Sequence, residues 1–145
     1  MHYKQTTEKE KMGSDKVMVH EAIKTPKVWG SEELIQNDRY CVKIMVLEPG
    51  HQVSMHWHAI KKETFLLISG ELIVETISQR GEKELTLLTK PLDSFTLDRN
   101  VPHTFYCPDG QDFNTVFIEA SSPDYEDDSF RIFPSRKQEK DSNNR

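Results

Sequence analysis

The chain is poor in the features that would place it in several large classes of protein. Only two of its 145 residues are cysteine. Cys41 and Cys107 lie far apart, which argues against a disulfide framework and for reduced thiols filling space in or near strands. No apolar run approaches the length of a membrane-spanning helix or the core of a signal peptide, so a cytoplasmic protein without a membrane partner is expected. Positive charge is also scarce: 19 Lys and Arg stand against 24 Asp and Glu, for a net charge of −5, and the lysines are scattered. Nucleic acid is therefore not an expected partner. Nowhere do apolar residues keep a helical period over three turns, and no internal repeat is present.

What is there suits one domain, since a chain of this length can bury roughly two-thirds of its unfolded surface. Residues 1–16 and 134–145 are polar and charged, and are expected to be flexible tails around a domain spanning 17–133. Between them, short β-branched and aromatic runs alternate with turn signals such as Glu48-Pro49-Gly50, Ser69-Gly70 and Pro108-Asp109-Gly110. This predicts an all-β fold with strands at Tyr40–Leu47, Gln52–His58, Glu63–Ser69, Glu71–Ile77, Glu84–Leu88, Ser94–Leu97, His103–Tyr106 and Asn114–Ala120. Strands this short and evenly spaced suggest a sandwich or barrel, the jelly roll included. Several are apolar on both faces, which predicts a second layer or a homodimer.

Among six histidines, spacing singles out a pair. His56 and His58 are two apart on a predicted strand, so their side chains project to one face, roughly 6.6 Å apart along the backbone. Glu63 opens the next strand, where an antiparallel partner would bring its carboxylate back beside the imidazoles. His103 opens a later strand that a barrel can lay alongside the pair. Three imidazoles and one carboxylate suit one divalent transition metal, Zn, Mn, Fe, Ni or Co, rather than Mg or Ca. On an octahedral ion, four protein ligands leave two positions for water or substrate oxygens.

These residues also carry a family resemblance. The stretch Gly50-x5-His56-x-His58-x4-Glu63-x6-Gly70 resembles the first cupin motif at every defining position, and Leu92 to His103 resembles a degraded second motif. In that second stretch Leu92 replaces the usual opening Gly, Asp98 the usual Pro and Asn100 the usual turn Gly. The resemblance covers about Val28 to Arg131 and implies a cupin double-stranded β-helix, the jelly-roll barrel, with His56, His58, Glu63 and His103 as metal ligands. Within the cupins, the chain is similar to the cupin domain of phosphomannose isomerases fused to nucleotidyltransferases. Three segments carry that likeness: Trp29-Gly30-Ser31-Glu32, Tyr40-Cys41-Val42-Lys43 leading into Glu48-Pro49-Gly50, and Glu126 to Arg131. The relatives commonly have Gln where His56 stands, and their closing Tyr-Gly-Arg is replaced here by Phe133-Pro134-Ser135-Arg136.

The resemblance implies a metal-dependent isomerase acting on a small-molecule substrate, a sugar or sugar phosphate. Glu63 is then the carboxylate nearest the chemistry and Glu119 a second candidate base. Arg131, through the acidic-acidic-x-x-Arg pattern, and Lys43, through the Val-Lys segment, are the candidates for groups facing the substrate. Lys61 and Lys62 could steer an anion or face water. The acidic run Asp124 to Asp128 reads as a solvated loop, and Trp57, between the two histidines, as a packing residue on the opposite face. Two other expectations stay open: a cupin dioxygenase or decarboxylase, which uses the same ligand set, and a carbohydrate-binding module without turnover.

Overall fold

The structure, a computed structural model, describes residues 7–11 and 17–137. The rest of both expected tails, residues 1–6, 12–16 and 138–145, lies outside the described residues. Among the described residues every regular element is a β-strand. In chain order these are β1 (Thr7–Lys11), β2 (Met18–Glu21), β3 (Ile23–Lys27), β4 (Gly30–Asn37), β5 (Cys41–Leu47), β6 (His51–Gln52), β7 (Met55–Trp57) and β8 (Glu63–Ser69). There follow β9 (Leu72–Ile77), β10 (Lys83–Leu88), β11 (Ser94–Leu97), β12 (His103–Tyr106), β13 (Thr115–Ser121), β14 (Phe130–Phe133) and β15 (Arg136–Lys137). Two of them stand inside the segments expected as tails: β1 pairs with β2, and β15 pairs with β6.

Two antiparallel sheets make the jelly-roll barrel. One runs β11-β8-β13-β5-β4-β3; the other runs β10-β9-β12-β6-β15, with β7 pairing both β12 and β14. Alternation decides what each strand turns inward. Cys41, Lys43, Met45 and Leu47 of β5 are buried, with Val42, Ile44 and Val46 between them more exposed. Phe65, Leu67, Leu72, Val74, Phe105 and Phe117 meet from the other strands in the core. Each such side chain contributes about 1.5–3 kcal/mol when fully removed from water.

Two of the strands not expected from the sequence, β4 and β3, have clear physical reasons for being hidden. β4 buries Ser31, Gln36 and Asn37 alongside Leu34, so hydrophobic periodicity cannot register it. β3 carries Pro26, and lies at the edge of its sheet, where a missing N–H is tolerated. The expected strand Gln52–His58 is divided into β6 and β7, because the Ser54 N–H leaves the ladder to donate to Ser135 Oγ at 3.0 Å.

Backbone geometry accounts for two of the residues in the family-like stretches and runs against a third. Gly30 has φ +145°, and a Cβ there would lie 1.9 Å from the Val46 carbonyl oxygen, so only glycine lets β4 approach β5 this closely. Asn100, where the motif usually has Gly, adopts φ 67°, and its N–H donates to the His58 carbonyl at 2.7 Å. That bond ties the turn before His103 to the first pair of histidines. Leu92 adopts φ 74°, a left-handed conformation unfavourable for a residue with a Cβ.

Candidate metal centre

Strand pairing brings the histidines together. His56 on β7 is the direct antiparallel partner of His103 on β12, and His58 follows one residue beyond β7. The ring centroids of His56 lie 4.9 Å from His58 and 4.4 Å from His103. One ligand atom from each falls within 4.8 Å of the others. Glu63 arrives by a different route from the one expected. β8 pairs with β11 and β13, not with β7, so its carboxylate reaches the imidazoles from the facing sheet after Ala59 to Lys62 cross the barrel. Glu63 Oε1 is 3.5 Å from His58 Nε2, and Oε2 is 3.3 Å from His103 Nε2.

The hydrogen bonds fix which nitrogen of each ring points inward. Nδ1–H of His56 donates to the Ser54 carbonyl at 2.8 Å, that of His58 to the Asp128 carbonyl at 2.5 Å, and that of His103 to the Val101 carbonyl at 2.9 Å. Each ring therefore turns Nε2, with its lone pair, toward the others. Burial holds the rings neutral. It pushes His56 down to about 2, helped by His103 and His58; His58 down to about 4, helped by Lys61; and His103 down to about 3. Nε2 of His58 and of His103 are buried without a hydrogen-bond partner. Lone pairs facing carboxylate oxygens at 3.3–3.5 Å do not attract one another, and a cation among them removes the conflict. The donor set fits a divalent transition metal.

Behind Glu63 lies a buried charge network. Lys61 Nζ is 3.0 Å from Glu63 Oε1, 3.4 Å from Glu119 Oε2 and 3.6 Å from Asp124 Oδ1. Lys43 Nζ is 2.5 Å from Asp124 Oδ2, 3.1 Å from Glu32 Oε1 and 3.9 Å from Glu119 Oε2. Burial by itself would push both ammonium groups down, but the carboxylates, Glu119 foremost, outweigh it and the net shift of each is upward.

The acidic run read as a solvated loop is divided by the fold. Glu126 and Asp127 are exposed, whereas Asp124 and Asp128 are each 2% exposed. Asp128 Oδ1 accepts from the Ala59 and Ile60 N–H groups at 2.8 and 3.1 Å, and Oδ2 from Lys61 N–H at 3.0 Å. The same residue's carbonyl holds His58, so one aspartate anchors both a ligand and the crossing that carries Glu63. The two buried aspartates are four apart in a run of like residues, and nothing in the spacing separates them from their neighbours.

The remaining candidates fall in separate places. Lys43 and Glu119 are direct cross-strand partners inside the barrel, behind Lys61. Arg131 is exposed on β14, opposite His56. Lys62 is exposed. His51 turns Nδ1 to the Pro49 carbonyl at 3.0 Å, and His20 lies against Gln36. Trp57 stacks on Phe130 with centroids 4.3 Å apart, on the face away from the ligands. A hollow of about 490 Å³ lies on the outer face of the β9–β12 sheet, among Glu75, Tyr106 and Arg136, and none of the four candidate ligands lines it.

The family model for the cupin domain matches residues 43–119, more than half of the chain. The chain belongs to the cupin family. Solved cupin-fold structures similar to it include the capsular polysaccharide assembling protein CapF from Staphylococcus aureus, at 19% identity and a TM-score of 0.66 over 79% of this chain and 32% of that one. Oxalate decarboxylase from Lactobacillus farciminis, in a formate complex, is 21% identical with a TM-score of 0.64, over 77% of this chain and 34% of that one. Oxalate decarboxylase from Bacillus subtilis is 15% identical with a TM-score of 0.67, over 90% and 33%. At these identities the likeness shows the fold alone, and this cupin spans about a third of each of those chains. Comparison with curated proteins gave no match. Among the described residues no helix is long and apolar enough to cross a membrane.

Proposed function

We propose that this cupin binds one divalent transition-metal ion through Nε2 of His56, His58 and His103 with Glu63 as the oxygen ligand, and that it is an aldose–ketose isomerase of a sugar or sugar phosphate. The observation that carries the metal reading is the convergence of three neutral imidazoles whose Nδ1–H groups are already engaged, two of them with a buried Nε2 lacking any partner. Bound there, the ion would supply a Lewis acid for a carbonyl or hydroxyl oxygen. Phe65 and Phe105, with ring centroids 6.5 and 5.4 Å from that of His103, form an apolar wall that keeps water from one side. Glu63 is the carboxylate in contact with the imidazoles. Lys43 and Glu119 support it from behind. Arg131 shares the face of His56 by register and is exposed, which supports it as the candidate cation for an anionic group such as a phosphate.

The choice of isomerisation rests on the three segments resembling phosphomannose isomerases. Its test is incubation of the metal-restored protein with a panel of aldoses and their 6-phosphates in deuterium oxide, read by NMR. Deuterium should enter the carbon next to the carbonyl, and should not do so with His58→Ala; no incorporation with any of Zn, Mn, Fe, Ni or Co would end the isomerase reading. A second reading, a cupin dioxygenase or decarboxylase, is favoured by the three-imidazole, one-carboxylate set. Oxygen uptake or carbon dioxide release with Fe or Mn restored, and no deuterium incorporation, would select it. Sugar-dependent thermal stabilisation without any turnover would instead select a binding module.

A cytoplasmic location is part of this proposal, supported by two free, buried cysteines. So is a homodimer: Leu85 and Leu87, 61% and 54% exposed on β10, offer apolar surface to a second copy. Light scattering of the purified chain measures it directly.

A further inference from the structure

The three histidines and their hydrogen bonds do not account for Lys61. Its side chain is 3% exposed, in the crossing between β7 and β8, and desolvating an ammonium group is costly. A surface lysine would avoid that cost. The backbone of Lys61 is fixed separately by Asp128, so the head group is aimed from a rigid base. It makes its shortest contact with Glu63 Oε1, at 3.0 Å. The two oxygens of Glu63 are thereby made different: Oε1 faces an ammonium group as well as His58 Nε2, 3.5 Å away, whereas Oε2 faces His103 Nε2 at 3.3 Å.

We infer that Lys61 is the positioning residue of the metal centre, holding Glu63 by Oε1 so that the carboxylate presents the single oxygen Oε2 to the ion. The inference rests on the metal reading above and deepens it. A carboxylate left free can chelate through both oxygens, filling positions that a small molecule needs; one oxygen engaged by Lys61 prevents this. Charge points the same way. Among the described residues, and taken in their charged forms, the four carboxylates of Glu32, Glu63, Glu119 and Asp124 exceed the ammonium groups of Lys43 and Lys61 by two. A divalent cation beside Glu63 balances that excess. Removing Lys61 would raise the excess among these groups to three.

The competing role for Lys61 is that of a counter-ion to Glu119 and Asp124 with no effect on the ligand. The experiment separates them by comparing the full chain with Glu119→Gln, with the charge-balanced pair Lys61→Met/Glu119→Gln, and with Glu63→Gln. Each is titrated with Co²⁺ alone against a chelating dye, and its visible absorption recorded. We expect the pair to bind Co²⁺ roughly 10–100-fold more weakly than the unsubstituted chain, whose net charge it shares, with an altered absorption that reports a changed coordination number. Equal affinity and an unchanged spectrum in those two proteins would overturn the inference and make Lys61 a counter-ion. If the pair does not fold, Lys61→Gln compared with the unsubstituted chain carries the same expectation. Normal Co²⁺ binding by Glu63→Gln would also overturn it, while leaving the three-histidine reading intact. Failure of the unsubstituted chain to bind Co²⁺ would bring down the metal reading and this inference together.

Discussion

Strand by strand, the inward-facing column of the barrel changes from charged or polar to apolar at one level. β5 carries Lys43 and then Met45 and Leu47; β8 carries Glu63 and then Phe65 and Leu67; β12 carries His103 and then Phe105; β13 carries Glu119 beside Phe117. Both ends are equally buried and use the same alternation. They differ in what burial does. At the apolar end, removal from water stabilises the fold. At the charged end it opposes folding, and ammonium groups, carboxylates and backbone N–H groups must satisfy one another to offset the cost. The apolar end holds the barrel closed, and the charged end is held in place by it.

That division of labour can be broken at either end. The largest expected effect is at the apolar end: Phe117→Ala, at a fully buried position, should destabilise the protein by about 3–5 kcal/mol in chemical denaturation while leaving metal content per folded chain unchanged. Asp128→Ala removes the acceptor of three backbone N–H groups in the crossing. It should cost about 2–3 kcal/mol and, unlike Phe117→Ala, also weaken metal binding, because the segment that carries Glu63 loses its anchor. Leu92→Gly relieves a left-handed leucine whose side chain is exposed. It should raise stability by roughly 0.5–1 kcal/mol, the relief of strain being partly cancelled by the greater entropy of the unfolded glycine. The smallest effect concerns Cys41, whose thiol is pushed up to about 11, mainly by burial, with Lys43 opposing. Because the thiolate is the reactive form, the native protein should resist iodoacetamide at about pH 8, where the unfolded chain is alkylated; ready labelling of native Cys41 would mean that this end of the barrel is wetter than the structure shows.

The sequence displayed the apolar end more openly than the charged end. Strands with apolar inward columns were legible almost residue by residue: Glu63–Ser69, Ser94–Leu97 and His103–Tyr106 coincide with β8, β11 and β12. The motif spacing also pointed to His56, His58 and His103, which the fold does bring together. What stayed hidden was the polar interior. Strand β4 buries Gln36 and Asn37, Lys61 looks like any loop lysine, and Asp128 cannot be told from Asp127 beside it. Each is buried because of a partner far along the chain, such as Asn37 with Asp124 or Asp128 with the Ala59 to Lys61 backbone, and periodicity within a segment carries no trace of such pairings. The route of Glu63 across the barrel was hidden for the same reason.

The account stands on a metal ion held by three imidazoles, and elemental analysis of the chain purified without added metal, beside His58→Ala and His103→Ala, tests it most directly. We predict close to one equivalent of a transition metal in the unsubstituted protein, lost in large part from each variant while both remain folded. Metal at full occupancy in either variant, or none in the unsubstituted protein even after Zn, Mn, Fe, Ni and Co have been offered, would contradict it.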